Sequence, residues 1–203
     1  MLKSVNLPFL NFKRINLPFV KVMYRAVVII LFLLAGLTSC KKDLLGSKAA
    51  YTAQAHKDDQ LIQDYLNKNS LQATKADTSG VYYLIEQPGT GTDLFTASTQ
   101  VTVGYVGSVI DSKSLEEQVF TRSDDASAGT DFHPTFILSQ VILGWQLGIR
   151  HGQKGGKIRL FIPSRYAYGP NAQPLVGPQN GLKGGLPANA VLDFEITLYD
   201  IIN

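Results

Sequence analysis

Cysteine is almost absent. Cys40 is the only one in 203 residues, so no disulfide can form within the chain. Histidine is sparse and scattered, at His56, His133 and His151, and no Cys/His cluster has the spacing of metal ligands. No metal and no cofactor are expected. No Gly-x-Ser-x-Gly elbow occurs, which removes the usual frame for a serine nucleophile. The glycine-rich stretches at 151–156 and 169–187 carry no Gly-Lys-Ser/Thr, so neither reads as a phosphate cradle. The longest apolar run, Ala26–Leu37, falls short of the about 20 residues that cross a bilayer as a helix.

Acid is missing from one region altogether. Residues 1–39 contain Lys3, Lys13, Arg14, Lys21 and Arg25 and no Asp or Glu. The net charge of +3 is therefore an N-terminal property. Taking those five from 19 basic residues leaves 14 against 16 acidic ones, a net of −2. The remainder has no Lys/Arg cluster interleaved with aromatics, and nucleic acid is not an expected partner. Apolar residues at 45% against 17% charged support a packed core rather than a disordered chain.

What is present begins with an address. Lys21 and Arg25 precede the apolar run, which has the length of an export-signal core. It exits through Leu37-Thr38-Ser39-Cys40. This exit resembles the lipobox of bacterial lipoproteins, where small residues admit the peptidase and the cysteine is acylated. The resemblance implies a signal peptide at 1–39, lipidation of Cys40, and a lipid anchor in a bacterial cell envelope. The location adopted is the outer membrane, facing the periplasm. Met23, just before the run, is a second possible start. Lys41-Lys42-Asp43 reads as a polar tether.

Residues 40–80 divide into tether, helix and linker. Leu61, Ile62, Tyr65 and Leu66 recur at helical spacing and predict a helix over about 49–70. Its narrow apolar stripe predicts a spacer packed lightly on the domain, with His56 solvated. Residues 71–80 are polar and turn-rich.

Residues 81–203 read as a second unit, built on strands. Val81–Ile85 is a first strand. Val101, Val103 and Tyr105 share a face, as do Ile158, Leu160 and Ile162, and again Leu192, Phe194, Ile196 and Leu198. Alternation of this kind predicts antiparallel strands with one face buried and one wet. A short helix interrupts them, with Ser139 as its cap, Val141, Ile142 and Trp145 as its apolar face and Gly148 at its end. Helix against antiparallel sheet is an α+β layout. The adjacent pairs Glu116-Glu117 and Asp124-Asp125 read as solvated charge. What remains is aromatic and apolar: Tyr105, Phe120, Phe136, Val141, Ile142, Trp145, Tyr168, Leu186 and Phe194. Taken singly, each is more simply core than site.

Their order changes that reading. Val101-Thr102-Val103-Gly104-Tyr105-Val106-Gly107, Val141–Gly148, Ile162-Pro163-Ser164-Arg165-Tyr166-Ala167-Tyr168-Gly169 and Leu186–Ile196 form four ordered blocks. Together they resemble the FKBP-type peptidyl-prolyl cis-trans isomerases over Val101–Ile202, about half of the chain. The resemblance implies a curved antiparallel sheet wrapped around one short helix, with a pocket between them for proline-containing, unfolded or exported polypeptides. Trp145 would be the pocket floor, with Tyr105, Phe194, Val141 and Ile142 as walls. Phe136 and Phe120 would complete the aromatic set. Tyr168 would offer its hydroxyl to a substrate carbonyl, and Leu186 would close the loop side. The implied activity is rotation about X–Pro bonds during folding of exported proteins.

Two departures from the family pattern stand out. Thr121 follows Phe120 where the family has aspartate. Pro134-Thr135-Phe136-Ile137-Leu138 replaces a block with two aromatics, leaving Phe132 as the residue available for the open wall. These departures favour the alternative of a non-catalytic peptide-binding or chaperone module on the same fold.

Overall fold

The computed structural model describes residues 40–91, 94–125, 130–177 and 182–203. The expected signal at 1–39, with Met23, lies outside the described residues. Of Cys40 only its place at the head of a helix is described. The chain divides into two compact units, Met1–Ala49 and Ala50–Asn203. Of the first, the described residues 40–49 are helical. The rest of this account concerns the second unit.

Helix α1 (Cys40–Lys68) starts ahead of the expected residue 49. It ends where Asn69 Nδ2 donates to Tyr65 O at 2.9 Å and Ser70 takes a left-handed φ of 54°. Among the described residues nine strands follow: β1 (Thr74–Lys75), β2 (Tyr82–Gln87), β3 (Gln100–Ile110), β4 (Glu117–Arg122), β5 (Asp124–Asp125), β6 (Thr130–Asp131), β7 (Thr135–Ile137), β8 (Lys157–Ile162) and β9 (Leu192–Ile202). Seven of them make one antiparallel sheet in the order β1-β2-β8-β9-β3-β4, with β7 also on β3. Strand β3 organises the sheet. One edge pairs with β9 along nearly its whole length, while the other is shared by β7 at Gln100–Thr102 and β4 at Val106–Ile110. Register shifts at Thr102/Val103 and Gly107/Ser108 bend it, as bulges do. Strands β5 and β6 form a separate ribbon.

The concave face holds the main core. Val101, Val103, Ile158, Leu160, Ile162, Leu192, Ile196 and Leu198 are fully or almost fully buried there, against helix α2 (Leu143–Gly148) and the turn after it. The helix presses closely on β8. A Cβ on Gly144 would stand 2.2 Å from Ile162 Cγ2, and one on Gly148 2.5 Å from Leu160 Cδ2. Gly148 does end the helix, as expected, but with a φ of −84° and not a left-handed one; its missing side chain serves close approach. The cap is corrected. Ser139 lies in a separate turn, Leu138–Gln140, and α2 starts after Ile142 without a side-chain cap. Instead the Gln146 carboxamide reaches back to Val141 O at 2.9 Å.

The convex face departs most from expectation. Alternation predicts a wet face, yet α1 lies on it. Ile62, Tyr65 and Leu66 are buried against Tyr82, Ile110, Phe161 and Val191 in a second cluster, so α1 is an integral layer and not a loosely held spacer. A narrow stripe suffices because the sheet supplies three large partners beneath it. Beside this cluster Arg159 binds Asp193 through Nε and Nη2 at 2.7–3.0 Å and also pairs with Glu117. Glu117 is thus tied into an ion network and is not simply solvated. His56 is exposed, as expected. No described helix is long and apolar enough to cross a membrane.

Candidate active site

Five segments converge on one depression on the concave side. Strand β3 brings Tyr105, β4 Thr121, β7 Phe136, α2 and its entry Val141, Ile142 and Trp145, and β9 Phe194; Tyr168 and Gln140 complete a cavity of about 240 Å³. Each arrives for a local reason. Tyr105 follows Val101 and Val103 on the inward face of β3. Its N–H donates to Ser123 Oγ at 2.8 Å and its carbonyl accepts from Ser123 N at 2.9 Å, which holds the start of the β4 return. Phe194 lies over Gly107, where a Cβ would come within 2.4 Å of its ring. Trp145 sits at the depth set by Gly144 and Gly148.

The aromatic geometry is edge-on around Trp145. Its ring is 5.4 Å from Tyr105 at 81°, 5.2 Å from Phe194 at 89° and 6.0 Å from Phe136 at 90°. Such edge-to-face contacts are favoured by ring quadrupoles and add about 0.5–1.5 kcal/mol each beyond burial. They also fix the indole as a rigid floor. The Trp145 side chain is 4% exposed, and its N–H has no hydrogen-bond partner among the described residues. An unpaired buried donor is a local cost, and folded proteins concentrate such costs at binding sites.

Tyr168 lines the cavity from outside the strands and α2. It follows a single turn, Ser164–Tyr166, and precedes Gly169, whose φ of 70° turns the chain away. Burial, reinforced by Tyr105, pushes its hydroxyl above the ordinary phenol value. It therefore remains a protonated donor at neutral pH. The described residues hold no group of His, Cys, Asp or Glu able to bind a metal. Thr121 and Gln140 also line the cavity.

Seven of the nine expected pocket residues therefore meet around one cavity: Tyr105, Phe136, Val141, Ile142, Trp145, Tyr168 and Phe194. Two do not. Phe120 is 1% exposed and backs Phe194 edge-on at 5.6 Å, one layer behind the wall. Leu186 is fully buried in the core, with its N–H shared between the carbonyls of Gln173 and Val176. It pins the base of the long loop and does not close the pocket. Phe132 is 63% exposed and does not fill the wall beside Phe136. Gln140, Gln146 and Ser123 went unremarked in the sequence. Only Gln146, a polar residue inside the apolar block Val141–Gly148, offered a signal.

A family model described as FKBP-type peptidyl-prolyl cis-trans isomerase matches residues 92–199, more than half of the chain. The chain belongs to this family. Among curated proteins, it is 34% identical over 148 residues to the FKBP-type peptidyl-prolyl cis-trans isomerase FkpA of Buchnera aphidicola subsp. Schizaphis graminum, covering 71% of this chain and 51% of that protein. The corresponding figures for FkpA of Aeromonas hydrophila are 32% over 156 residues, 76% and 51%. The chain thus spans about half the length of these curated relatives. Among solved structures, a peptidyl-prolyl cis-trans isomerase from Pseudomonas syringae pv. tomato matches with a TM-score of 0.55 at 24% identity, covering 75% of this chain and 96% of that one. FkpA from Escherichia coli gives a TM-score of 0.53 at 24% identity, with 92% and 83% covered. These likenesses show the α+β FKBP fold, with its curved sheet around a short helix.

The cavity offers an open, aromatic-lined depression of about 240 Å³, with the side chains of Tyr105, Thr121, Gln140 and Tyr168 as its polar groups. Such a site can bind, desolvate and reorient an amide.

Proposed function

We propose that the cavity over Trp145 catalyses cis–trans isomerisation of X–Pro bonds in unfolded or exported polypeptides. The observation that carries this reading is the pairing of a rigid aromatic floor and walls with a protonated Tyr168 hydroxyl. Rotation about the bond is slow because amide resonance must be broken, against a barrier of about 18–20 kcal/mol. Resonance puts negative charge on the carbonyl oxygen, and water stabilises that charge. Transfer to an apolar cavity removes the water and disfavours the planar form. The twisted form, with less charge separation, suffers less. Tyr168 anchors a substrate carbonyl while the prolyl ring rests on Trp145. Preferential stabilisation by about 4 kcal/mol would accelerate the rotation roughly a thousandfold.

The test is the isomerisation rate of a short X–Pro peptide with protein starting at Cys40→Ser. A clear acceleration over the uncatalysed rate is expected, and a folded sample giving none would overturn the proposal. Thr121 favours a second reading, a peptide-binding chaperone without turnover. It stands in the cavity lining where the family pattern has a carboxylate. That reading expects improved refolding of an unfolded client with peptide isomerisation at background.

The N-terminal sequence supports placement of the domain in a bacterial envelope by acylation of Cys40. Fatty-acid labelling of the full chain, lost in Cys40→Ser, is the expected result.

A further inference from the structure

Tyr168, one of the hydroxyl-bearing residues that line the cavity, stands on a turn that the FKBP core does not hold alone. Ser164 opens the turn, and its carbonyl accepts from Ala167 N at 3.0 Å and Gly169 N at 2.9 Å, the residues on either side of Tyr168. Ser164 is itself 1% exposed. Its N–H donates to Asp58 Oδ2 at 2.9 Å and its hydroxyl to the same oxygen at 2.6 Å. Asp58 belongs to α1, which lies before the family-matched residues 92–199. It is 2% exposed, and its other oxygen accepts from Gln54 Nε2 at 2.7 Å. The next residue of the turn is also tied to the outside: Arg165 binds Ser79 O and lies over the Tyr51 ring of α1 at 5.9 Å.

A buried carboxylate is costly unless its oxygens are filled. Here three donors fill them, and two come from one residue of the Tyr168 turn. Charge-assisted bonds of this kind are short and directional. The turn belongs to no strand; Asn189 N holds its far end through Gly169 O at 2.9 Å, and its start is held through Ser164 and Arg165.

We propose that Asp58 is a positioning residue for the pocket: through Ser164 it fixes the turn that presents the Tyr168 hydroxyl, so that α1 forms part of the isomerase machinery. The catalytic half of this statement rests on the isomerase reading above. The mechanical half does not. Displacement of a positioned group by about 1 Å can cost as much as a hundredfold in rate. Loss of both Ser164 bonds is expected to lower kcat by about tenfold.

The experiment uses the protein starting at Cys40→Ser and compares wild type, Asp58→Ala, Asp58→Asn and Ser164→Ala. Peptide affinity is read from the fluorescence of Trp145, the only tryptophan in the chain, with a succinylated Ala-Leu-Pro-Phe peptide. Isomerisation of the same peptide gives kcat and KM. Amide exchange is followed at Ser164, Ala167 and Gly169, with Leu160 in β8 as the reference. Asp58→Ala should speed exchange at the three turn amides by about tenfold or more, leave Leu160 protected and lower kcat with little change in peptide affinity. Asp58→Asn, which keeps an acceptor oxygen, should recover most of both effects. Ser164→Ala, which loses one of the two bonds, should fall between and carries the test if Asp58→Ala does not fold. Unchanged turn exchange, or equal loss of protection at Leu160, would overturn the proposal. So would a kcat that stays at the wild-type value while the turn loosens. If wild type itself gives no isomerisation, the isomerase reading fails separately, and the exchange data still decide whether Asp58 holds the turn.

Discussion

Asp193 and Phe194 are neighbours on β9 and face opposite worlds. Phe194 points into the concave cavity, edge-on to Trp145. Asp193 points through the other face and receives Arg159 in bidentate fashion beneath α1. The same division runs through β8, where Leu160 belongs to the main core and Arg159 and Phe161 lie under the helix. One strand thus serves an uncharged cavity and a buried ion network, one residue apart, by the period of two that side chains follow. The two faces use burial differently. On the concave side it leaves a cavity of about 240 Å³ walled by aromatic rings. On the convex side it is offset ion by ion. Burial drives the Asp193 carboxyl above its ordinary range while Arg159 pulls against it, and Arg159 itself is held more firmly protonated by its two carboxylate partners.

This comparison can be broken most sharply on the convex side. Arg159→Ala would leave Asp193 buried without its cation, a change that typically costs about 3–5 kcal/mol of stability. Chemical denaturation should show that loss. Isomerisation measured well below the transition should stay within about twofold of wild type, because the cavity walls are untouched. A large loss of rate in a folded sample would mean that the two faces are not separable.

Gly144→Ala should give the next largest effect, and a mixed one. The added methyl would meet Ile162 at 2.2 Å, and overpacking of this kind costs about 1–3 kcal/mol. Since α2 must move to relieve it, Trp145 moves too, and both stability and peptide turnover should drop. The midpoint of denaturation and the rate, measured together, check this.

Tyr168→Phe is the finest cut. Loss of one hydrogen-bond donor, worth about 1 kcal/mol, should lower kcat/KM by roughly fivefold to tenfold with stability almost unchanged. Its pH dependence has a definite sign. The Tyr168 pKa is raised in the folded chain, so its contribution to stability is complete below the unfolded phenol value of about 10 and is lost as pH rises through the folded value. Stability should therefore decline above pH 10 more steeply in wild type than in Tyr168→Phe, while activity near neutrality stays flat.

The concave face was largely legible in the sequence and the convex face was not. Val101, Val103 and Tyr105, or Leu192 and Phe194, announce their shared face within a few residues, because strand periodicity is local. The ion network depends on pairs far apart in sequence: Arg159 meets Asp193 and Glu117 across 34 and 42 residues. On alternation alone Asp193 reads as a wet residue. It becomes dry only because α1 returns to cover it, and the helix's narrow stripe of Ile62, Tyr65 and Leu66 understated that contact. Phe120 and Leu186 show the opposite error. Their place in the family blocks suggested wall and lid, but a block order does not say which layer a side chain occupies. Phe132 looked available for a wall and lies in the open.

The central claim is that the cavity over Trp145 turns X–Pro bonds. The most direct test compares isomerisation of a short X–Pro peptide by wild type and by Trp145→Leu, each shown to be folded. The account predicts clear acceleration by wild type and a loss of about tenfold or more in kcat/KM when the floor is removed. An acceleration that survives Trp145→Leu undiminished would contradict it.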